Sequence, residues 1–311
     1  MKRSYLAGTF IIILLFILCI TGCSTLRPLY GDRFHISRSK PRASSHGEKS
    51  LLRKKVLIAP VINIAGLKDE KAGQLSETWL NLLKEDNSLL VTQLTGFESP
   101  QLVSKSSGLG VFTDPVIIKK AEEMGMNTLV TLILEPLNYT AKKGFIWPFN
   151  KVKGEYDVTM VVNAVDITSG TVIYSYKESE KIKIGKVPEG QETPIPLDTG
   201  ALDNVLYELQ KRQSSALLDV LAGQLWTGKI LHDEGKIRIN GGKDIGITAG
   251  SVFEVFNKGE GIESLTGASY YIDGPKTGEI KVTEVTADHS FAVPTEEKIF
   301  EDGLIIALKS E

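Results

Sequence analysis

The spacing of apolar residues changes once along this chain, near Leu225, and that change fixes what each side of it can fold into. Downstream no helical period recurs, and glycine returns at positions 228, 235, 241, 242, 246, 250, 259, 261, 267, 274, 278 and 303. Between those glycines lie short alternating runs at 236–239, 252–256, 279–285, 291–293 and 304–308. Alternation puts every second side chain on one face of a strand, and glycine supplies tight turns between strands. Residues 225–311 are therefore expected to form a small all-β, barrel-like domain.

Upstream of Leu225 the periods of strand and helix take turns. Val56 to Val61 reads as a buried strand, and Asp69 opens a helix to about Asp86 with Leu75, Trp79, Leu82 and Leu83 on one face. Leu89 to Leu94 is a second strand. Asp114-Pro115 starts a second helix that ends at Gly125, since Asp suits the N-cap and Pro the first helical turn. Thr128 to Leu137 is a third strand. Tyr156 to Ile167 and Val172 to Lys183 form a hairpin about Thr168-Ser169-Gly170. After a Pro/Gly/Glu loop at 185–199, Asp198 or Thr199 caps a last helix. Its core face carries Leu202, Val205, Leu206, Leu209, Ala216, Leu217, Val220 and Leu221. The order β-α-β-α-β-β-β-α predicts a mixed α/β sandwich over 54–224, and the whole chain is expected to be α+β. With 311 residues, 42% hydrophobic and 24% charged, two domains have enough apolar material for their cores.

The first 53 residues belong to neither domain. Lys2-Arg3, the apolar stretch from Leu6 to Ile20, and Ile20-Thr21-Gly22-Cys23 have the anatomy of a secretory signal, too short for a confident membrane span. The four-residue ending resembles the lipobox of bacterial lipoproteins. That resemblance implies cleavage after residue 22 and acylation of Cys23 by fatty chains such as palmitate, enough for a stable bilayer anchor. Ser24, where Asp would signal inner-membrane retention, implies the periplasmic side of the outer membrane. Residues 23–53 then form a tether. Arg27, Arg33, Arg38, Lys40, Arg42, Lys49 and Arg53 oppose only Asp32 and Glu48, so residues 24–53 carry +5 within a chain of net charge −2. With +2 on the signal segment, residues 54–311 carry −9. A solvated linker and a contact with anionic lipid headgroups are both open for it.

Several stretches of the folded part resemble known envelope proteins. Val56-Leu57-Ile58-Ala59-Pro60-Val61, Ala121-Glu122-Glu123-Met124-Gly125 and Val165-Asp166-Ile167-Thr168-Ser169-Gly170-Thr171-Val172 resemble the periplasmic domain of the curli secretion lipoprotein and the middle domain of flagellar assembly protein T. The run from Ile237 to Asn257, with Thr277-Gly278-Glu279-Ile280 and His289-Ser290-Phe291-Ala292, resembles the C-terminal β-domain of flagellar assembly protein T. Ser251 stands where that family has Asp, and Gly241 where it has an apolar residue. The resemblance implies a binding or assembly protein.

The residues themselves carry no pattern of catalysis. The cluster Gly241-Gly242…Gly246 lacks the Gly-Lys-Ser/Thr ending of a phosphate loop and is expected to be followed by strands. His232-Asp233-Glu234 reads as a solvated turn and His289 as a surface residue. No nucleophile elbow is present, and Cys23 is committed to lipid. The chain is therefore expected to be no enzyme, with no catalytic residue, no metal, no cofactor and no nucleic-acid partner. One feature invites a contact instead. Phe145, Ile146, Trp147 and Phe149 crowd a connection between strands ending near Tyr139 and starting near Glu155, flanked by Lys142, Lys143, Lys151 and Lys153. A connection of about fifteen residues is long for a hairpin, and its aromatic cluster either folds back on the domain or the barrel or makes a partner or membrane contact, the reading pursued here. The expected function is that of a lipid-anchored assembly scaffold, with a homo-oligomeric ring as an open arrangement. The alternative is a curli-type secretion pore, whose spanning hairpins would have to come from 139–155 and 175–195. The first is short for two spans, and the second carries Glu178, Glu180, Lys181, Lys183 and Lys186.

Overall fold

A computed structural model describes residues 52–95, 115–143, 152–187, 194–263 and 269–309. The protein is α+β, with a helix-covered mixed sheet followed by a closed antiparallel barrel.

The sheet is built from β1 (Lys54–Ile58), β2 (Ile62–Asn63), β3 (Leu89–Gln93), β4 (Thr128–Leu134), β5 (Asn138–Lys143), β6 (Val152–Asp166) and β7 (Val172–Val187). β1 lies between β3 and β4 and runs parallel to both, the arrangement produced by helical crossovers. β6 organises the rest. Its C-terminal half pairs with β4, its N-terminal half with β5, and β7 follows its other edge over nearly its whole length. The predicted hairpin is present, with Asp166 accepting from the backbone and hydroxyl of Ser169 in the turn. Both strands run further than the sequence pattern suggested, and β2 and β5 are additional to the expected order.

Three helices cover this sheet. On one face, α1 (Asp69–Lys84) buries Leu75, Trp79 and Leu83, and α3 (Thr199–Ala222) buries Leu202, Leu206, Leu209, Leu217 and Leu221 against Val130, Leu132, Val158, Met160 and Val162. On the other, α2 (Pro115–Glu123) sets Ile117 and Ala121 on Leu57, Leu129 and Ile167. Asp198 caps α3 as expected, accepting from the Ala201 N–H at 2.9 Å. α1 differs: Lys68 occupies its N-cap without a side-chain bond, and Asp69 is the first helical residue. A carboxylate there still favours the helix by complementing its dipole. α3 also buries polar groups that a hydrophobic pattern does not reveal. Gln210 donates to the Leu75 carbonyl and Gln213 to the Met160 carbonyl.

The barrel closes in the order β10-β11-β12-β9-β8-β13. Its strands are β8 (Thr227–Asp233), β9 (Lys236–Ile239), β10 (Val252–Glu263), β11 (Ser269–Val285), β12 (Ser290–Pro294) and β13 (Ile305–Leu308). β8 corrects the sequence reading, because His232 and Asp233 lie in a strand rather than a turn. The turn is Glu234-Gly235, where both residues have positive φ, as a two-residue hairpin requires. A 3₁₀ turn, Lys243–Ile245, lies inside the glycine cluster, and the next element after Gly246 is the strand β10. β10 and β11 extend as a hairpin well beyond the short runs read from sequence. Alternation sends Ile230, Ile237, Ile239, Phe253, Val255, Ile280, Val282 and Ile306 inward, with Trp226 against Phe253.

Sheet and barrel belong to one compact unit, residues 47–311. Leu52 enters the barrel core, and Arg53 donates its N–H to the Ile245 carbonyl. Asn127 bridges the parts: its Oδ1 accepts from the Lys55 N–H and its Nδ2 donates to the Thr227 carbonyl. Lys55 pairs with Asp244 at 2.7 Å, and Lys229 pairs with Glu122.

Candidate functional site

Cys23, the expected lipidation site, lies outside the described residues, as do Phe145, Ile146, Trp147 and Phe149. The structure does revise the length of their connection. β5 continues to Lys143 and β6 starts at Val152, so the connection is residues 144–151, not the fifteen or so read from sequence. The long-loop argument therefore falls, because residues read as loop form ladder pairs such as Tyr139 with Tyr156 and Lys142 with Lys153.

A different surface emerges on the barrel. Residues of β8, β9, β11 and β12, with the segment that follows β12, line a groove of about 340 Å³. Half-buried Phe291 is part of its lining. The His289 ring meets Phe291 edge-on at 5.3 Å, and the Lys236 ammonium lies 5.5 Å from the Phe291 ring centroid. Val293 and Ile299 form an apolar rim, and Ile299 is 94% exposed. Lys298 is anchored by donating to the Thr277 carbonyl and lies 5.7 Å from the Phe300 ring centroid. Opposite, His232 Nδ1 is 2.6 Å from Asp302 Oδ1, which ties β8 to the start of β13. Glu284 contributes a carboxylate to the lining.

Local sequence explains this placement. Phe291 and Val293 alternate outward while Ala292 points in, and Pro294 ends the ladder. A register shift between Val282 and Glu284 lets the Thr283 hydroxyl donate to the Phe291 carbonyl at 3.3 Å. Phe300 turns inward and is buried, leaving its neighbour Ile299 in solvent. Sequence reading passed over this surface because its residues come from separated runs. The available signal was Ile299-Phe300 inside the polar stretch 295–303. His289 is not a plain surface residue: it contacts Asp288 at 2.8 Å and Thr286 at 2.9 Å, and its hydrogen bond holds the Asp288 carboxyl below its ordinary value. A groove of this makeup can hold an apolar side chain beside a carboxylate. Among the described residues, no group of three or more His, Cys, Asp or Glu is arranged to hold a metal ion.

No protein-family model matches the chain, and no curated protein matches it. Solved structures similar to it include bacterial lipoproteins. The PelC dodecamer from Paraburkholderia phytofirmans is 12% identical, with 56% of this chain and 91% of that one covered at a TM-score of 0.32. Lipoprotein GNA1162 from Neisseria meningitidis is 14% identical, with 55% and 99% covered at 0.28. The LpoB C-terminal domain from Salmonella enterica is 17% identical, with 43% and 85% covered at 0.25.

Proposed function

We propose that this chain is a scaffold of the bacterial cell envelope, anchored through lipid on Cys23 at the periplasmic side of the outer membrane. It acts by protein contact, not catalysis, in an assembly of flagellar or secretion type. The observation that supports this most is the barrel groove, with Phe291, Val293 and Ile299 beside Lys236 and Lys298. Its occupant is an extended segment of a partner protein, carrying a large apolar side chain next to an acidic one. The latch between sheet and barrel gives that groove a rigid mount. Against the pore alternative stands β7, which contains residues 175–187 of the second candidate span. There Arg212 of α3 holds Glu178 at 2.7 Å and Glu180 at 3.1 Å, which ties one face of β7 to a helix.

A photo-crosslinking residue at Val293, introduced in the native host, tests the groove. The expected result is a discrete protein adduct that disappears when Ile299→Asp is added, with the melting temperature unchanged. No adduct, or one indifferent to Ile299→Asp, overturns the groove reading. Intact mass of the mature protein tests the anchor: acyl chains on an N-terminal Cys23 are expected, and an unmodified N-terminus ends that part.

A further inference from the structure

We infer that the partner seated in the barrel groove is a second copy of this chain, the two copies exchanging Ile299 across a two-fold axis. The inference rests on the reading of the groove as a protein-contact site and names its occupant. Its starting point is Ile299. Among the described residues this is the most exposed large apolar side chain, and Val293 on the same groove is 49% exposed. A lone apolar residue on a surface needs no explanation, but this one is held out rigidly. The Thr295 N–H donates to the Glu279 carbonyl at 3.0 Å, and the Lys298 N–H to the Glu296 carbonyl at 2.7 Å. The Lys298 ammonium is fixed on the Thr277 carbonyl, and Phe300 is buried. With both flanks pinned, covering Ile299 costs little further chain entropy.

Charge makes the match. Thr295 to Asp302 holds Glu296, Glu297, Glu301 and Asp302 against Lys298, a charge of 1 − 4 = −3. Glu296, Glu297 and Glu301 are exposed on either side of Ile299. The barrel face beside them carries the opposite sign along one row. Lys281 of β11 pairs with Val293, and the register that sets Ile237 opposite Ala292 brings Lys236 to the other side of Val293. Asp233 stands beyond Lys236 in the same row and lies 3.6 Å from Arg238. The next row is mixed, with Arg238 and Glu284 flanking Phe291. An isoleucine between carboxylates therefore complements a valine between lysines, and this chain presents both.

Knob and groove share one face of the barrel, since Ile299 and Val293 both line the same cavity. A contact that uses both from each copy is self-complementary and closes at two copies. The same two features on separate faces would instead join copies head to tail, into a ring or a fibre. The contact is also small. A groove of about 340 Å³ is modest beside the ~800 Å² per partner buried in stable complexes. Pairing is therefore weak in free solution. Anchoring two copies on one leaflet raises their effective concentration and makes the pair form.

The test mixes two variants of the mature acylated protein, Val293→Cys and Ile299→Cys, prepared separately with tags of different size and reconstituted in the same vesicles. Cys19 leaves with the signal and the Cys23 thiol carries lipid, so each introduced thiol stands alone. A short bis-maleimide should join the two variants into a mixed dimer, with a yield at least about tenfold above that of Glu77→Cys mixed with Ile299→Cys, Glu77 being exposed on α1. Lys236→Glu with Lys281→Glu should lower the mixed yield roughly tenfold by setting like charges together. Adding Glu296→Lys and Glu297→Lys to the same chains should restore it, which no role of the lysines within the barrel would do. A mixed yield at the Glu77 background overturns the inference, whether or not the charge variants fold. So does a charge-reversed pair that crosslinks like the parent. A Val293 photo-adduct in the native host with a different protein also overturns it but leaves the groove reading standing, whereas no adduct of any kind removes both. An unacylated Cys23 would end the anchored reading alone, and the same mixture with Cys23→Ser in both chains, at high concentration in solution, would still decide the pair.

Discussion

Glycines in the two halves of the molecule have different surroundings. In the sheet half, a methyl group added at Gly66, Gly73 or Gly185 would meet nothing within 4 Å. In the barrel, the same addition at Gly228, Gly241, Gly242, Gly274 or Gly278 would come within 2.3 to 2.7 Å of another atom, while at the turn glycines Gly235 and Gly250 it too would meet nothing. The sheet half is layered, and its helices keep backbones apart with whole side chains. The barrel is small and closed on itself, so rings and neighbouring backbones pass directly over Cα atoms.

The largest effect should come from emptying either core. Phe253→Ala in the barrel and Trp79→Ala in the sheet half both remove fully buried rings, at an expected cost of about 3–5 kcal/mol each by denaturant titration. The comparison sharpens if both unfold the whole unit in one transition, as the shared latch implies. Next is Gly242→Ala. Its Cβ would stand 2.7 Å from the Thr286 carbonyl oxygen and 2.8 Å from that of Ala287, the acceptors for Lys243 and Asp244. Backbone cannot swing aside as a side chain can, so a loss of about 2–3 kcal/mol is expected. Gly228→Ala meets the buried Trp226 ring at 2.5 Å and should cost about 1–3 kcal/mol, with a change in tryptophan fluorescence. Gly73→Ala, exposed on α1, should do the reverse and stabilise by about 0.5–1 kcal/mol. Gly228→Ala without cost, or Gly73→Ala with one, would break the comparison.

The last effect is one of pH. Lys54 starts β1 with its ammonium against the carbonyls of Leu221 and Gln224 at the end of α3. Burial pushes its pKa from an ordinary 10.5 down to about 8, opposed in part by Asp166. Below about 8 the amine is protonated in both states and the burial penalty is fully present. Between about 8 and 10.5 the unfolded chain binds more protons than the folded one, so stability rises with pH there. Melting temperature should climb across that window relative to Lys54→Met, which removes the titration. Parallel profiles for the two proteins would show that the amine is solvated.

Some of this was legible from residues alone. The division near Leu225, the α3 cap at Asp198 and the 168–170 turn each follow from interactions within a few residues, such as the Asp166 carboxylate on the Ser169 N–H. Inward alternation in the barrel was likewise visible, because side chains alternate whatever a strand pairs with. β8 was missed because Thr227–Asp233 has little alternation of its own and becomes a strand by pairing with β9 and β13. β5 was missed, and the outer ends of β6 and β7 were placed short, for the same reason: these parts are held by one another.

The sequence by itself determined the three helices, most of the strands and which face of each is apolar, since those depend on period and near neighbours. It also placed the basic residues and aromatics of 142–153 in one stretch. Only the tertiary structure decided that Phe291 and Ile299 share a groove, and that Leu52 belongs to the barrel core. It alone set Lys186 rather than Gly185 beside Lys153. Each of these depends on register between distant strands, and one residue of slip exchanges the partner at every position without changing any local pattern.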